Sequence, residues 1–131
     1  MSAEDSVFHL QSQFLQASGL SKYNLGAESL ARKLVAEEAQ ELAESGWLIQ
    51  EEPDYNAAKE ACDLIYVVAQ YLNVTIGADA ALDLYKAVHA NNMSKCVNGK
   101  LVKRADGKVL KPEGYKSFDI KEWAKGVYSY E

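Results

Sequence analysis

The chain has 131 residues, 48% of them hydrophobic and 25% charged, so it lacks both the apolar deficit and the charge excess of a disordered segment, and its length suits one domain. A formal charge of -5 argues against general nucleic-acid binding. The first residues carry acids where a secretory signal needs bases, and no apolar run approaches the roughly 18 residues of a membrane span, so a cytoplasmic protein without membrane contact is expected.

Val7, Leu10, Phe14 and Leu15 recur at helical spacing and predict a first helix from Ser6 to about Gln16, ended by Gly19. Ala27 to Ser45 is rich in Ala, Leu, Glu and Lys, strong helix formers, with Gly46 as a stop. Gln50 to Tyr55 contains Pro53 and reads as a loop. Asn56 caps a third helix to about Asn73, where length and an Ala-rich start outweigh the strand-like Ile65-Tyr66-Val67-Val68 run. Gly77 breaks it, and Asp79 to about Lys95 is a fourth helix. Four such helices pack as a bundle, which makes the expected fold all-α and four-helix-bundle-like.

Beyond Cys96 the composition changes. Asn98-Gly99 and Asp106-Gly107 tolerate the positive φ of tight turns and predict loops or short strands. Lys95, Lys100, Lys103, Arg104, Lys108, Lys111 and Lys116 face only Asp106 and Glu113 in this arm, whereas acids dominate from Glu28 to Asp63. The expected organisation is one domain, residues 1–131, with a helical core at about 6–96, a basic loop or hairpin arm at about 97–116 and a short C-terminal turn at 117–131. Cys62 and Cys96 lack C-x-x-C spacing, which disfavours a disulfide scaffold or a zinc ribbon. Both are expected to be reduced, with Cys62 buried.

A projection at about 100° per residue places Leu30, Ala31, Leu34, Val35 and Leu42 of the second helix on one apolar arc. Glu38 and Glu41 fall inside it and Glu37 at its edge. On the third helix, Glu60 and Asp63 join Leu64, Val67, Val68 and Tyr71. Unpaired buried carboxylates cost several kcal/mol each, so a positive group is required. Arg32, Lys33 and Lys59 are candidates, and a divalent cation answers more directly. Ligands that are all carboxylate oxygens select a hard ion, Mg²⁺ with Mn²⁺ as substitute. A di-iron centre needs Glu-x-x-His pairs, and His9 and His89 are isolated. The alternative for Glu37, Glu38 and Glu41 alone is a solvated helix face with a Lys33–Glu37 ion pair.

Glu37-Glu38-Ala39-Gln40-Glu41 followed by Glu60-Ala61-Cys62-Asp63 resembles the E-E-x-x-E and E-x-x-D signature of the all-α nucleoside triphosphate pyrophosphohydrolases, in particular MazG-like members. The stretch His89-Ala90-Asn91-Asn92-Met93-Ser94-Lys95, with Asp106-Gly107-Lys108-Val109-Leu110-Lys111-Pro112, is similar to the C-terminal segment of a subgroup. The resemblance implies a MazG-type fold and hydrolysis of a nucleoside triphosphate between its α and β phosphates to a monophosphate and pyrophosphate, clearing unwanted nucleotides. It implies that Glu38, Glu41, Glu60 and Asp63 hold Mg²⁺, that Glu37 handles the attacking water, and that a homodimer, or a tetramer built from it, completes the fold. Lys95, Lys108 and Lys111 suit the phosphates, the alternative for each being a solvated surface charge, and Asn92 suits sugar or phosphate, or else a helix C-cap. Gln11, Gln13, Phe14, Trp47 and Tyr66 include groups suited to a base. Rival readings are phosphoribosyl-ATP pyrophosphohydrolase, a non-catalytic metal-binding helical dimerisation or regulatory module, and an arm that binds nucleic acid.

Overall fold

The computed structural model describes residues 5–19, 25–45 and 55–128. Among them the chain is all-α apart from one two-stranded ladder: α1 (Val7–Ala17), α2 (Leu25–Glu44), α3 (Tyr55–Thr75), α4 (Ala78–Met93), β1 (Cys96–Val97), β2 (Lys100–Leu101) and α5 (Ile120–Tyr128). Gly46, Trp47 and the Pro53 loop lie outside the described residues. No single helix is long and apolar enough to cross a membrane. The chain divides into two compact units, Met1–Leu82 and Asp83–Glu131, with the boundary inside α4.

In the first unit Ser6 caps α1, its hydroxyl accepting from the His9 N–H at 3.1 Å. Gly77 closes α3 at φ +87, its N–H reaching back to the Leu72 carbonyl at 3.2 Å, a conformation that costs glycine nothing. Both α1 and α2 pack on α3. Phe14 meets Tyr66, Gln11 meets Gln70, and Asn73 meets the Phe8 carbonyl, so α1 runs antiparallel to α3. Arg32 beside Tyr71 and Glu38 beside Asp63 give α2 the same sense against α3.

The core consists of two small clusters. Leu15, Ala27, Ala31 and Val74 form one, with Tyr71 against it; Phe8, Ala69 and Ala81 form the other, flanked by Leu72, Ile76 and Leu82. Between α1 and α3 lies a buried amide chain. Asn73 Nδ2 donates to the Phe8 carbonyl and to Gln11 Oε1, both at 2.8 Å, and Gln11, fully buried, donates to Gln70 Oε1 at 3.4 Å. These bonds replace water for the amide donors, while Asn73 Oδ1 is buried without a partner among the described residues.

Of the apolar arc expected on α2, Ala31 is fully buried, Leu34, Val35 and Leu42 are half-buried, and Leu30 is exposed. A helix with one main packing partner covers a narrow stripe, which small alanines fill. Cys62, expected inside, is exposed. It projects from the face of α3 that carries Ala69 and Asn73, but the antiparallel register sets it opposite the Ser18–Gly19 end of α1.

The second unit is organised by turns. Asn98 at φ +52 and Gly99 at φ +78 form the two-residue turn between β1 and β2, with Cys96 opposite Leu101 and Val97 opposite Lys100. A second turn follows, in which the Gly107 N–H bonds to the Arg104 carbonyl at 2.8 Å and Lys103 bridges to Val109. In the third, the Tyr115 N–H bonds to the Pro112 carbonyl at 3.0 Å. The expected loops and short strands are therefore two hairpin-like turns and a reverse turn. α5 is a nine-residue helix rather than a short turn; Asp119 caps it by accepting from the Glu122 N–H at 3.0 Å.

Candidate metal centre

Three of the five acids come together. One carboxylate oxygen each from Glu38 on α2 and Glu60 and Asp63 on α3 lie within 4.8 Å of one another, and all three residues are half-buried. The local cause is helical spacing: Glu60 and Asp63 stand three residues apart, which puts them on neighbouring positions of one face. The antiparallel register then brings Glu38 alongside.

Their hydrogen bonding is incomplete. Glu38 Oε2 and Glu60 Oε2 are screened from solvent and have no hydrogen-bond partner among the described residues. A carboxylate oxygen left in that state costs several kcal/mol. Asp63 is paired with Lys59 at 2.7 Å, but the Lys59 side chain is well exposed and that of Asp63 partly so, and an i,i+4 ion pair open to solvent contributes little. The Lys59 ammonium is held above its ordinary value by the hydrogen bond to Asp63, by the charge of Asp63, and then by those of Glu60 and Glu38. One lysine thus senses the whole cluster while bonding one member of it.

The other cations considered are engaged elsewhere or exposed. Arg32 bonds Glu28 at 2.9 Å and Tyr71 Oη at 3.0 Å, with its guanidinium 5.0 Å from the Tyr71 ring centroid. Lys33 is exposed. Glu37 and Glu41 are exposed, and neither belongs to the group of three. The three-acid set fits a divalent cation. Its donors are all oxygens, it is negative, and two of its oxygens lack any other partner.

Of the groups suited to a base, Phe14 and Tyr66 are exposed and meet edge to face at 5.7 Å, Gln13 is exposed and Gln11 is buried. His89 is exposed, and His9 bonds Ser6 Oγ at 2.5 Å and Asp79 at 2.7 Å. The group of three contains no histidine.

In the second unit, Lys95 is half-buried while Asn92, Lys108 and Lys111 are exposed. Lys95 Nζ lies 3.5 Å from Asn92 Oδ1 and 5.6 Å from the Tyr115 ring centroid, and Lys111 Nζ lies 5.8 Å from the same centroid. The Lys108 N–H bonds Asp106 Oδ1 at 3.1 Å. Sequence reasoning passed over Tyr115 and Asn91, which are joined at 2.8 Å. The available signal was the Pro112-Glu113-Gly114 turn, which fixes the residue that follows.

Fold and site together define an all-α chain carrying a helix-held carboxylate cluster. No protein-family model matches the chain, and no curated protein matches it significantly.

Proposed function

We propose that the chain is a Mg²⁺-dependent nucleoside triphosphate pyrophosphohydrolase of MazG-like type, built on a four-helix-bundle-like core. The observation that carries this reading is the pair of partnerless buried oxygens on Glu38 and Glu60 beside Asp63. Mn²⁺ would substitute, and Glu41, one turn beyond Glu38, would complete the ligand set. When bound, the ion supplies charge neutralisation to the phosphates and a lowered pKa to attacking water. Glu37 orients that water and accepts its proton, a role its exposure permits. Lys95, Lys108 and Lys111, with Asn92, bind phosphate oxygens through charge-assisted hydrogen bonds. The products are a nucleoside monophosphate and pyrophosphate, and the role is clearance of unwanted nucleotides.

A homodimer, or a tetramer assembled from it, belongs to the same reading. Leu10, Phe14, Leu30, Ile65 and Val68 are exposed. An apolar groove of about 400 Å³ opens between α2 and α3, lined by Val35, Ala36, Ala39, Val68 and Tyr71 beside Arg32. These exposed side chains and the groove are apolar surface that a second subunit would cover, while alanine supplies most of the buried core.

The test measures pyrophosphate release from each common NTP and dNTP, and from phosphoribosyl-ATP, with Mg²⁺ and with chelator. Activity is expected only with metal, and Glu60→Gln and Asp63→Asn should each lower it at least about 100-fold. Failure of the wild-type chain to hydrolyse any of these would sink the reading. The Lys59–Asp63 ion pair favours a second reading, in which the cluster is a structural cation site. It predicts that Mg²⁺ raises the melting temperature without turnover.

A further inference from the structure

The second unit contains a cavity of about 420 Å³ bordered by Asn91, Ser94, Cys96, Glu113, Tyr115 and Lys116. Two ammonium groups converge on its tyrosine, with Lys95 Nζ at 5.6 Å and Lys111 Nζ at 5.8 Å from the ring centroid. The ring attracts them without neutralising them. Neither lysine makes an ion pair among the described residues, whereas Arg104 of the same arm is neutralised by Asp106.

The hydrogen-bond directions add to this. Asn91 Nδ2 donates to Tyr115 Oη at 2.8 Å, so the phenol accepts there and its own proton is left to donate. Ser94 Oγ has committed its proton to the Asn91 carbonyl at 2.5 Å. The pocket thus presents one O–H donor and Lys116 in its lining, and the two ammonium groups without ion pairs lie near its Tyr115 ring without themselves lining it. Glu113 is its single acidic side chain.

From this we infer that the Tyr115 pocket, with Lys95 and Lys111, is a phosphate subsite that binds a diphosphate group without help from a metal. Donors of both neutral and charged kinds around one wall suit several oxygens of one polyanion. The inference deepens the proposed function and rests on it only for what the anion belongs to, a substrate's phosphate chain or released pyrophosphate.

The probe is inorganic pyrophosphate, titrated into the full chain with chelator present and followed by calorimetry and by the amide and tyrosine resonances. Saturable binding is expected, with shifts at the Asn91 side-chain amide and at Tyr115, tighter than for orthophosphate and weakened by salt. Lys95→Gln and Lys111→Gln should each weaken it about tenfold, Glu113→Gln should tighten it about twofold, and Lys103→Gln, on the hairpin, should change it less than twofold. Absence of saturable binding overturns the inference. So does equal weakening by Lys103→Gln, which means a diffuse basic surface, or weakening by Glu113→Gln, which means a cation site. The same titration of Glu60→Gln separates the two proposals. Pyrophosphate binding by a wild-type chain that hydrolyses no nucleotide rejects the proposed function alone, and hydrolysis without pyrophosphate binding rejects this subsite alone.

Discussion

The acids of the first unit are held by helices and the cations of the second by turns. Glu38, Glu60 and Asp63 are half-buried on α2 and α3, so backbone hydrogen bonds along two helices fix where their charges stand. Most of the cations, Lys103, Arg104, Lys108 and Lys111, are exposed on an arm whose shape comes from three turns. Burial makes the difference chemical as well as geometric. An oxygen screened from water is under pressure to find a cation, whereas an exposed ammonium is satisfied by solvent until a ligand arrives. Changes to the acids should therefore register in the free protein, and changes to the lysines only in ligand binding.

The sharpest way to break that contrast is Glu60→Gln. Mn²⁺ affinity, measured by paramagnetic resonance, should fall about 100-fold or more, as expected when one of three carboxylate ligands is lost. Urea unfolding without metal should show stability unchanged or raised by about 1 kcal/mol, because a charge leaves a like-charged cluster. Lys111→Gln should stay within about 0.5 kcal/mol of wild type. A destabilised metal-free Glu60→Gln would mean that the protein itself already satisfies that carboxylate.

Next in size is Asn73→Ala, which removes a bond to the Phe8 carbonyl and leaves Gln11 Oε1 without its Asn73 donor in the core. Losing the amide should cost about 2–3 kcal/mol in urea unfolding, from two hydrogen bonds and the desolvated Gln11 oxygen left behind. A cost below about 0.5 kcal/mol would show that water enters between α1 and α3. The stability of the first unit would then not depend on this polar chain.

Much of this was legible in the sequence, and the failures have physical causes. Helix formers and breakers located the four main helices to within a few residues, because those signals act over one or two turns, whereas Asn56, expected to cap the third helix, lies inside α3. Asn98-Gly99 and Asp106-Gly107 marked their turns because few other residues accept the backbone required. Helical projection found the inward acids of α3 but did not separate Glu38 from Glu41. They differ by about 60° around one helix, and only the crossing with α3 decides which of them faces Glu60. Cys62 failed similarly, since periodicity gives a face but not how far along it a shorter neighbour extends. The gathering of Lys95, Lys111 and Asn91 at Tyr115 depends on a turn folding back across some twenty residues, which no local pattern encodes.

The turn-held unit offers its own break point. Gly99 sits at φ +78 with open space where a Cβ would lie, so Gly99→Ala meets no clash but must hold a left-handed backbone. That costs about 1–2 kcal/mol and should open the β1–β2 ladder. Hydrogen exchange at the ladder amides should speed up by about tenfold, while the α1 and α3 amides keep their protection. Loss of protection throughout both helices would show that the two units do not respond separately.

The smallest expected effect is a titration. Asp106 accepts from Arg104 at 2.9 and 2.5 Å and from the Lys108 N–H at 3.1 Å. The Arg104 hydrogen bonds, and then that backbone N–H, hold its carboxyl below the ordinary aspartate value. A lowered carboxylate pKa means that the folded turn binds the proton less readily than the unfolded chain does. Its contribution is therefore present at neutral pH, begins to fade below about pH 4, and is lost as pH falls through the folded-state value. Carboxyl carbon resonances should place the Asp106 midpoint below that of a solvated aspartate, and Arg104→Ala should move it back most of the way, the Lys108 N–H retaining the remainder. An Asp106 that titrates as a solvated aspartate in the wild type would mean that Arg104 is as free as Lys95 and Lys111. The arm would then have one more cation available to an anion, and the distinction drawn between its paired and unpaired charges would fail.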